Sequence, residues 1–129
     1  QPLLAGMKHL NRLEQVLVNL FGNAIDAMQN ETERRLLVRA IAQDDGRRVL
    51  VQVQDSGAGI GDEQLPHLFE PFFPTKPAGE GLGLGLVISA KIVHEFGGVL
   101  RAARLEHGMS FEFDLGVDTW DMTGDSEDV

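Results

Sequence analysis

The chain of 129 residues has no cysteine, little positive charge and no long apolar run. Without cysteine there are no disulfides and no thiolate zinc sites, which fits a reducing compartment. No stretch approaches the about 18 consecutive apolar residues of a membrane span, and no basic-then-apolar start suggests a secretion signal. Lys and Arg number 11 against 20 acidic residues, for a net charge of −9. That balance is wrong for nucleic acid, which is gripped by Lys and Arg against phosphate. If the chain takes an anion such as a nucleotide, its overall field gives no help. Backbone donors, a cation or a few placed basic groups must do the work. The first residue is Gln1 rather than Met, so the chain is expected to be a piece of something larger.

What is present is ordinary for a globular domain: 43% hydrophobic and 24% charged residues. This length makes one domain that buries about two-thirds of its unfolded surface. The acidic excess is partly local. Residues 117–129 hold Asp118, Asp121, Asp125, Glu127 and Asp128 with no Lys or Arg, and removing those five acids leaves −4. This tail is expected to be disordered, residues 1–10 to be a linker or truncated strand, and residues 11–116 to be the folded unit.

The most informative stretch is Leu13–Asn30. Leu13, Val16, Leu17, Leu20, Ala24 and Ala27 recur at three- and four-residue steps, the rhythm of one helix face. Asn19, Asn23, Asp26 and Asn30 follow the same step in a bordering stripe. Asn and Asp are mediocre helix formers, because their short side chains compete for backbone hydrogen bonds. Two readings stay open from the helix alone: a solvated face, or a row of oxygens for a hard cation such as Mg²⁺. The helix is expected to start near Met7 or Leu10, with Asn11 a candidate cap.

Beyond it, Arg35–Gln43 alternates as a strand, Asp44–Asp45–Gly46 is a hairpin turn, and Arg48–Gln54 returns with Val49, Val51 and Val53 on one face. The glycine-rich segment 55–61 follows directly, then a short helix over Asp62–Phe69 capped by Asp62. Pro and Gly crowd residues 70–85, which should be loop, and a loop this long in a small domain is usually either disordered or functional, such as a lid. Leu86–Phe96 reads as a second helix with Leu86, Ala90 and Val93 inward, stopped by Gly97–Gly98. Val99–Leu105 and Ser110–Leu115 form a final strand pair. The whole is an α+β two-layer sandwich, a mixed, mostly antiparallel sheet with helices on one face.

The cluster Gly81–Leu82–Gly83–Leu84–Gly85–Leu86 fits neither of two common phosphate loops. A GxGxxG fingerprint fails in every register, and no Gly-Lys-Ser/Thr exists for a Walker A loop. A glycine loop running into a helix N-terminus can favour an anion through its N–H groups, or can simply be a flexible connection.

Taken together, four segments resemble a known family. Asn19–Leu20–Phe21–Gly22–Asn23–Ala24 resembles the N box of sensor histidine kinases, and Asp55–Ser56–Gly57–Ala58–Gly59–Ile60 their G1 box. Leu68 to Lys76 is similar to the F box, and Gly79 to Leu86 to the G2 box. Order and spacing match the catalytic ATP-binding domain of that family over Leu13 to Phe113, with wording most similar to kinases sensing C4-dicarboxylates or nitrogen status. The resemblance implies the Bergerat ATP-binding sandwich shared with gyrase, Hsp90 and MutL, with ATP and Mg²⁺ as cofactors. It implies that Asn23 ligates Mg²⁺ on the phosphates, with Asn19 beside the same ion or a phosphate. Asp55 would accept a hydrogen bond from the adenine amino group, and Gly57 and Gly59 would let the ring approach. Lys76 would pair with a phosphate, and Gly81, Gly83 and Gly85 would line a lid. Asp26, Ile60, Leu82 and Leu84 fall in the same nucleotide site, and Ser110 matches loosely a hydroxyl near the adenine pocket. Asn19 and Lys76 are the catalytic candidates.

One departure bears on the reaction. ATP-hydrolysing relatives and serine kinases of this fold carry Glu four residues before the Mg-binding Asn, as a base. Here that position is Asn19, which cannot take a proton. A neutral imidazole needs no such base. The expected activity is therefore that of a protein histidine kinase, donating the γ-phosphoryl of ATP to a histidine on a separate helical dimerisation domain, with a response regulator downstream. The alternatives are an ATPase or serine kinase of the same fold, or a non-catalytic nucleotide-binding module. In a second departure Pro74 precedes Thr75–Lys76 where the F box of the kinases this wording resembles usually has Thr, allowing a stiffer approach to the lysine. His94–Glu95 only echoes a phosphoacceptor box, and His9, His67 and His107 have no ligand spacing, so the acceptor is expected outside this chain. The resemblance places the domain in the cytoplasm, as part of an inner-membrane sensor, with no membrane contact or nucleic-acid partner of its own.

Overall fold

The three-and-four-residue apolar rhythm of the N-terminal third becomes α1, Pro2–Ala27. Residues 2–70 and 84–116 are described in the computed structural model, with side chains from Leu10 onward where these segments cover them. α1 turns Val16, Leu20 and Ala24 inward to 0–2% exposure. It starts earlier than the sequence suggests. Residues 2–10 are helical rather than a strand, and Asn11 lies within the helix instead of capping it. Proline is tolerated at a first helical turn, and the Leu-Leu-Ala run behind it has high helix propensity.

β1 (Leu36–Gln43) and β2 (Arg48–Asp55) form an antiparallel hairpin from Leu36↔Asp55 to Gln43↔Arg48. Its loop contains the expected Asp44–Asp45–Gly46 turn, all three residues with positive φ, a conformation that Asp tolerates better than most side chains. Where a short helix capped by Asp62 is expected, there is one 3-10 turn at Leu65–His67 with no side-chain cap. Asp62 instead pairs with Arg104.

α2 spans Leu84–Glu95 and ends at Gly97, whose φ of +84° accompanies a Gly98 N–H bond back to the Val93 carbonyl at 3.0 Å. This is a glycine-terminated helix end of the Schellman type. β3 (Leu100–Arg104) and β4 (Met109–Gly116) complete a four-stranded sheet in the order β1-β2-β4-β3. All three pairings are antiparallel, so the described sheet is uniform where a mixed one is expected. The two-layer α+β architecture stands.

Val53, Phe111, Phe113 and Leu115 form the sheet's inner face and meet Val16 and Leu20 of α1 and Leu86, Ile92 and Val93 of α2 in one core. The opposite face is mostly polar over β2 and β4, with Arg48 to Asp114 at 2.6 Å and Gln52 to Glu112 at 2.9 Å, and carries Leu37, Ile41 and Leu50 toward β1. No helix among the described residues is long and apolar enough to cross a membrane.

Candidate functional site

Asn19, Asn23 and Asp26 fall on successive turns of α1, the two amides partly buried and Asp26 exposed. Asn30 lies beyond the helix end, so the stripe has three helical members rather than four. The glycine-rich segment after β2 is set directly against the last turn of this helix. The Ala58 N–H donates to the Ala27 carbonyl at 3.2 Å, satisfying an acceptor that the helix end leaves open. Gly57 makes that approach feasible, because a Cβ there would stand 2.6 Å from the Ala27 oxygen. Ser56 fastens the other side: its hydroxyl accepts from the Arg35 N–H at 2.8 Å and donates to the Glu33 carbonyl at 3.2 Å.

Asp55 closes β2 on the core side and is 4% exposed. Its Oδ1 accepts the Gly57 N–H at 2.8 Å, and the Met109 N–H also points to the carboxylate. Burial pushes the carboxyl above the usual carboxylate range, and these two donors only partly offset it. Met109 is reached because the β3–β4 turn packs very tightly here. Gly108 has φ of +109°, and a Cβ on it would overlap the Asp55 carbonyl. Gly59 joins the same loop, and Ile60 packs against the core beside it. A buried carboxylate with two of its lone pairs taken by fixed N–H groups can accept one further donor from a ligand in a defined direction.

The start of α2 borders the same side of α1. The Asn19 Nδ2 donates to the Gly85 carbonyl at 3.2 Å and to the Ser89 Oγ at 3.1 Å. Its Oδ1 accepts from Gln15 Nε2 at 3.0 Å. Leu84 and Gly85 form the first turn of this helix, so its free N–H groups and positive dipole end lie next to Asn19.

The structure thus brings Asn19 together with the start of α2 at Gly85, and sets Ala27, the residue after Asp26, against the loop of Asp55, Gly57, Gly59 and Ile60. It does not bring in Ser110, whose hydroxyl faces Gln54 Nε2 at 3.4 Å on the polar side of the sheet. Its expected place near the adenine pocket is corrected: strand alternation puts Phe111, not Ser110, on the side of Asp55. Lys76, Gly81, Leu82 and Gly83, with the F box from Pro71 onward, lie outside the described residues. The sequence reading missed Met109, which acts through its backbone N–H and so leaves no signal in its side chain. It also missed Gln15 and Ser89, whose contacts with Asn19 depend on how two helices pack.

The donor set suits a hard cation. Two amides and one carboxylate on a helix face offer oxygen, as Mg²⁺ prefers. No group of three or more His, Cys, Asp or Glu that could hold a metal occurs among the described residues, so a cation here would complete its shell with phosphate and water.

The profile of the family described as "Histidine kinase-, DNA gyrase B-, and HSP90-like ATPase" matches residues 8–119. The C4-dicarboxylate transport sensor protein DctB of Pseudomonas aeruginosa is 42% identical over 102 residues, 78% of this chain and 16% of that protein. The catalytic domain of the histidine kinase ThkA superposes with a TM-score of 0.68 at 36% identity, covering 82% of this chain and 66% of that one. Full-length ShkA in complex with AMPPNP gives 0.67 at 33% identity, over 81% of this chain and 21% of that one. The chain spans 20% of the sensor protein FixL of Bradyrhizobium diazoefficiens, so curated relatives of this kind are several times longer.

Proposed function

This chain belongs to the histidine kinase-, DNA gyrase B- and HSP90-like ATPase family, as an ATP-binding domain of the sensor histidine kinase type, and from that membership we propose that it binds ATP with Mg²⁺ and donates the γ-phosphoryl group to a histidine on a separate helical domain. The observation that carries the reading is the buried Asp55, fixed by the Gly57 and Met109 N–H groups at the head of a loop that packs on the last turn of α1. Asp55 accepts the adenine amino group, and Gly57 and Gly59 keep the loop clear of side chains where the ring enters. Asn23, with Asn19 and Asp26, faces the metal and phosphates, and the start of α2 adds backbone N–H groups to the anion. Mg²⁺, when bound, neutralises phosphate charge as the phosphoryl group leaves, and Lys76 adds a second positive charge.

Transfer of this kind rests on positioning and charge more than on covalent help from the protein. Asn19 stands where ATP-hydrolysing relatives and serine kinases of this fold carry a Glu base for water or a hydroxyl, which favours an imidazole acceptor. The acceptor domain, a response regulator that takes the phosphoryl group from it, and a place in the cytoplasm as part of a membrane-anchored sensor complete the proposal.

A calorimetric titration with a non-hydrolysable ATP analogue tests the first half. Binding is expected with Mg²⁺, to be much weaker without it, and to exceed that of the GTP counterpart. Equal affinity for both nucleotides would sink the adenine assignment. The second half is tested with labelled ATP: the chain alone stays unlabelled, and label appears on a helical histidine domain added in trans. Steady ATP hydrolysis by the chain alone would point to an ATPase instead.

A further inference from the structure

A carboxamide has two chemically opposite ends, and the packing of α1 on α2 decides which one Asn19 presents. Its Nδ2 carries two hydrogens and meets two acceptors, the Gly85 carbonyl at 3.2 Å and the Ser89 Oγ at 3.1 Å. Both N–H bonds are therefore spent toward α2. Ser89 is 0% exposed, so its hydroxyl has no water to turn to and stays on this contact. Rotating the amide by half a turn would set Oδ1 against the Gly85 carbonyl, two acceptors facing each other with nothing between them. Oδ1 is thus the end left over. Its partner is Gln15 Nε2 at 3.0 Å, an exposed side chain one turn earlier that solvent can replace.

From this geometry we infer that Ser89 is a positioning residue: by holding the Asn19 Nδ2, it makes Asn19 an oxygen ligand for the cation rather than an N–H donor to phosphate. The inference rests on the proposed Mg²⁺–nucleotide site and decides which atom of Asn19 works in it. Ser89 touches neither metal nor nucleotide. It acts as the outer partner that orients a metal-facing group, a kind of contact whose loss typically weakens metal binding without removing a ligand. Gln15 has the opposite effect, since an N–H on Oδ1 competes with a cation for the same lone pairs.

The test is the Mg²⁺ concentration at which binding of a non-hydrolysable ATP analogue is half restored, read by calorimetry, with thermal unfolding alongside. Ser89→Ala and Ser89→Cys, the second keeping the volume with a weaker acceptor, are expected to raise that midpoint by about tenfold. Metal-free nucleotide affinity should not change, and Ser89→Thr, which keeps the hydroxyl, should stay near wild type. Gln15→Met, on the exposed side of α1, should lower the midpoint even if the Ser89 variants fold poorly. An unmoved midpoint in folded Ser89→Ala and Ser89→Cys would overturn the inference, as would an unmoved or raised midpoint in Gln15→Met. Tighter metal-free binding by Ser89→Ala would also overturn it, because the freed N–H would then be serving phosphate. A wild-type chain that binds no adenine nucleotide at any Mg²⁺ concentration would instead bring down the functional reading itself.

Discussion

Asp55 is held at a cost to the fold. Its carboxyl is raised above the ordinary range by burial, with the Gly57 and Met109 N–H groups pulling the other way. For an acid whose folded pKa lies above its unfolded one, the native state holds the proton more tightly. Asp55 therefore withdraws stability as pH rises through the window between the two values, and leaves it unaffected below the unfolded one. Asp114 does the reverse: burial raises its carboxyl, but Arg48 and the Val99 N–H outweigh that and hold it low. Its contribution is present above the unfolded pKa and fades as pH falls through the folded one. Asp55→Asn should remove the first trend. Denaturant unfolding of the variant at pH 7 is expected within about 1 kcal/mol of wild type, and calorimetry should find adenine nucleotide affinity at least about tenfold weaker. A variant that unfolds readily yet binds normally would assign Asp55 to the fold rather than the ligand.

At the scale of elements, the decisive contact is between α1 and the loop after β2. Gly57→Ala places a methyl group 2.6 Å from the Ala27 carbonyl, backbone that cannot swing aside. A loss of about 1–3 kcal/mol is expected in thermal or chemical unfolding, with nucleotide binding weakened beyond that because the loop is lifted from α1. The glycine itself is legible in the sequence, but the reason for it is not. The pattern suggests room for a ring, and the structure adds a helix carbonyl, a neighbour more than twenty residues away in the chain. Other elements divide in the same way. The periodicity of α1 reads through to its buried face, and Gly97–Gly98 marks the end of α2. The early start at Pro2 escapes because Pro2 and Gly6 read as breakers, and residues 2–10 hold no Ser, Thr, Asp or Asn to mark a cap. Ser110 is a different case. The alternation of Ser110 to Leu115 already puts it with Glu112 and Asp114, opposite Phe111 and Phe113. A loose family correspondence pointed the other way.

Over the whole molecule, sequence separation decides what can be read. The β1–β2 hairpin is local, and its turn announces it. The insertion of β4 between β2 and β3 is not local, and it is what delivers the Met109 N–H to Asp55 and buries Phe111 and Phe113 against both helices. No single segment carries that information. The site is accordingly assembled from parts of α1, β2, α2 and the β3–β4 turn, each ordered by contacts with the others. The bond from the Ala58 N–H to the Ala27 carbonyl has a kinetic consequence. That amide can exchange with solvent deuterium only when the loop lifts off the end of the helix, so its exchange rate counts openings of the site. In the nucleotide-free chain it should exchange faster than the Val53 amide in the middle of β2. Saturation with an ATP analogue and Mg²⁺ should slow it, leaving the Asp44–Asp45–Gly46 turn unaffected. One backbone hydrogen, read by NMR, would then time how often the two walls of the site part company.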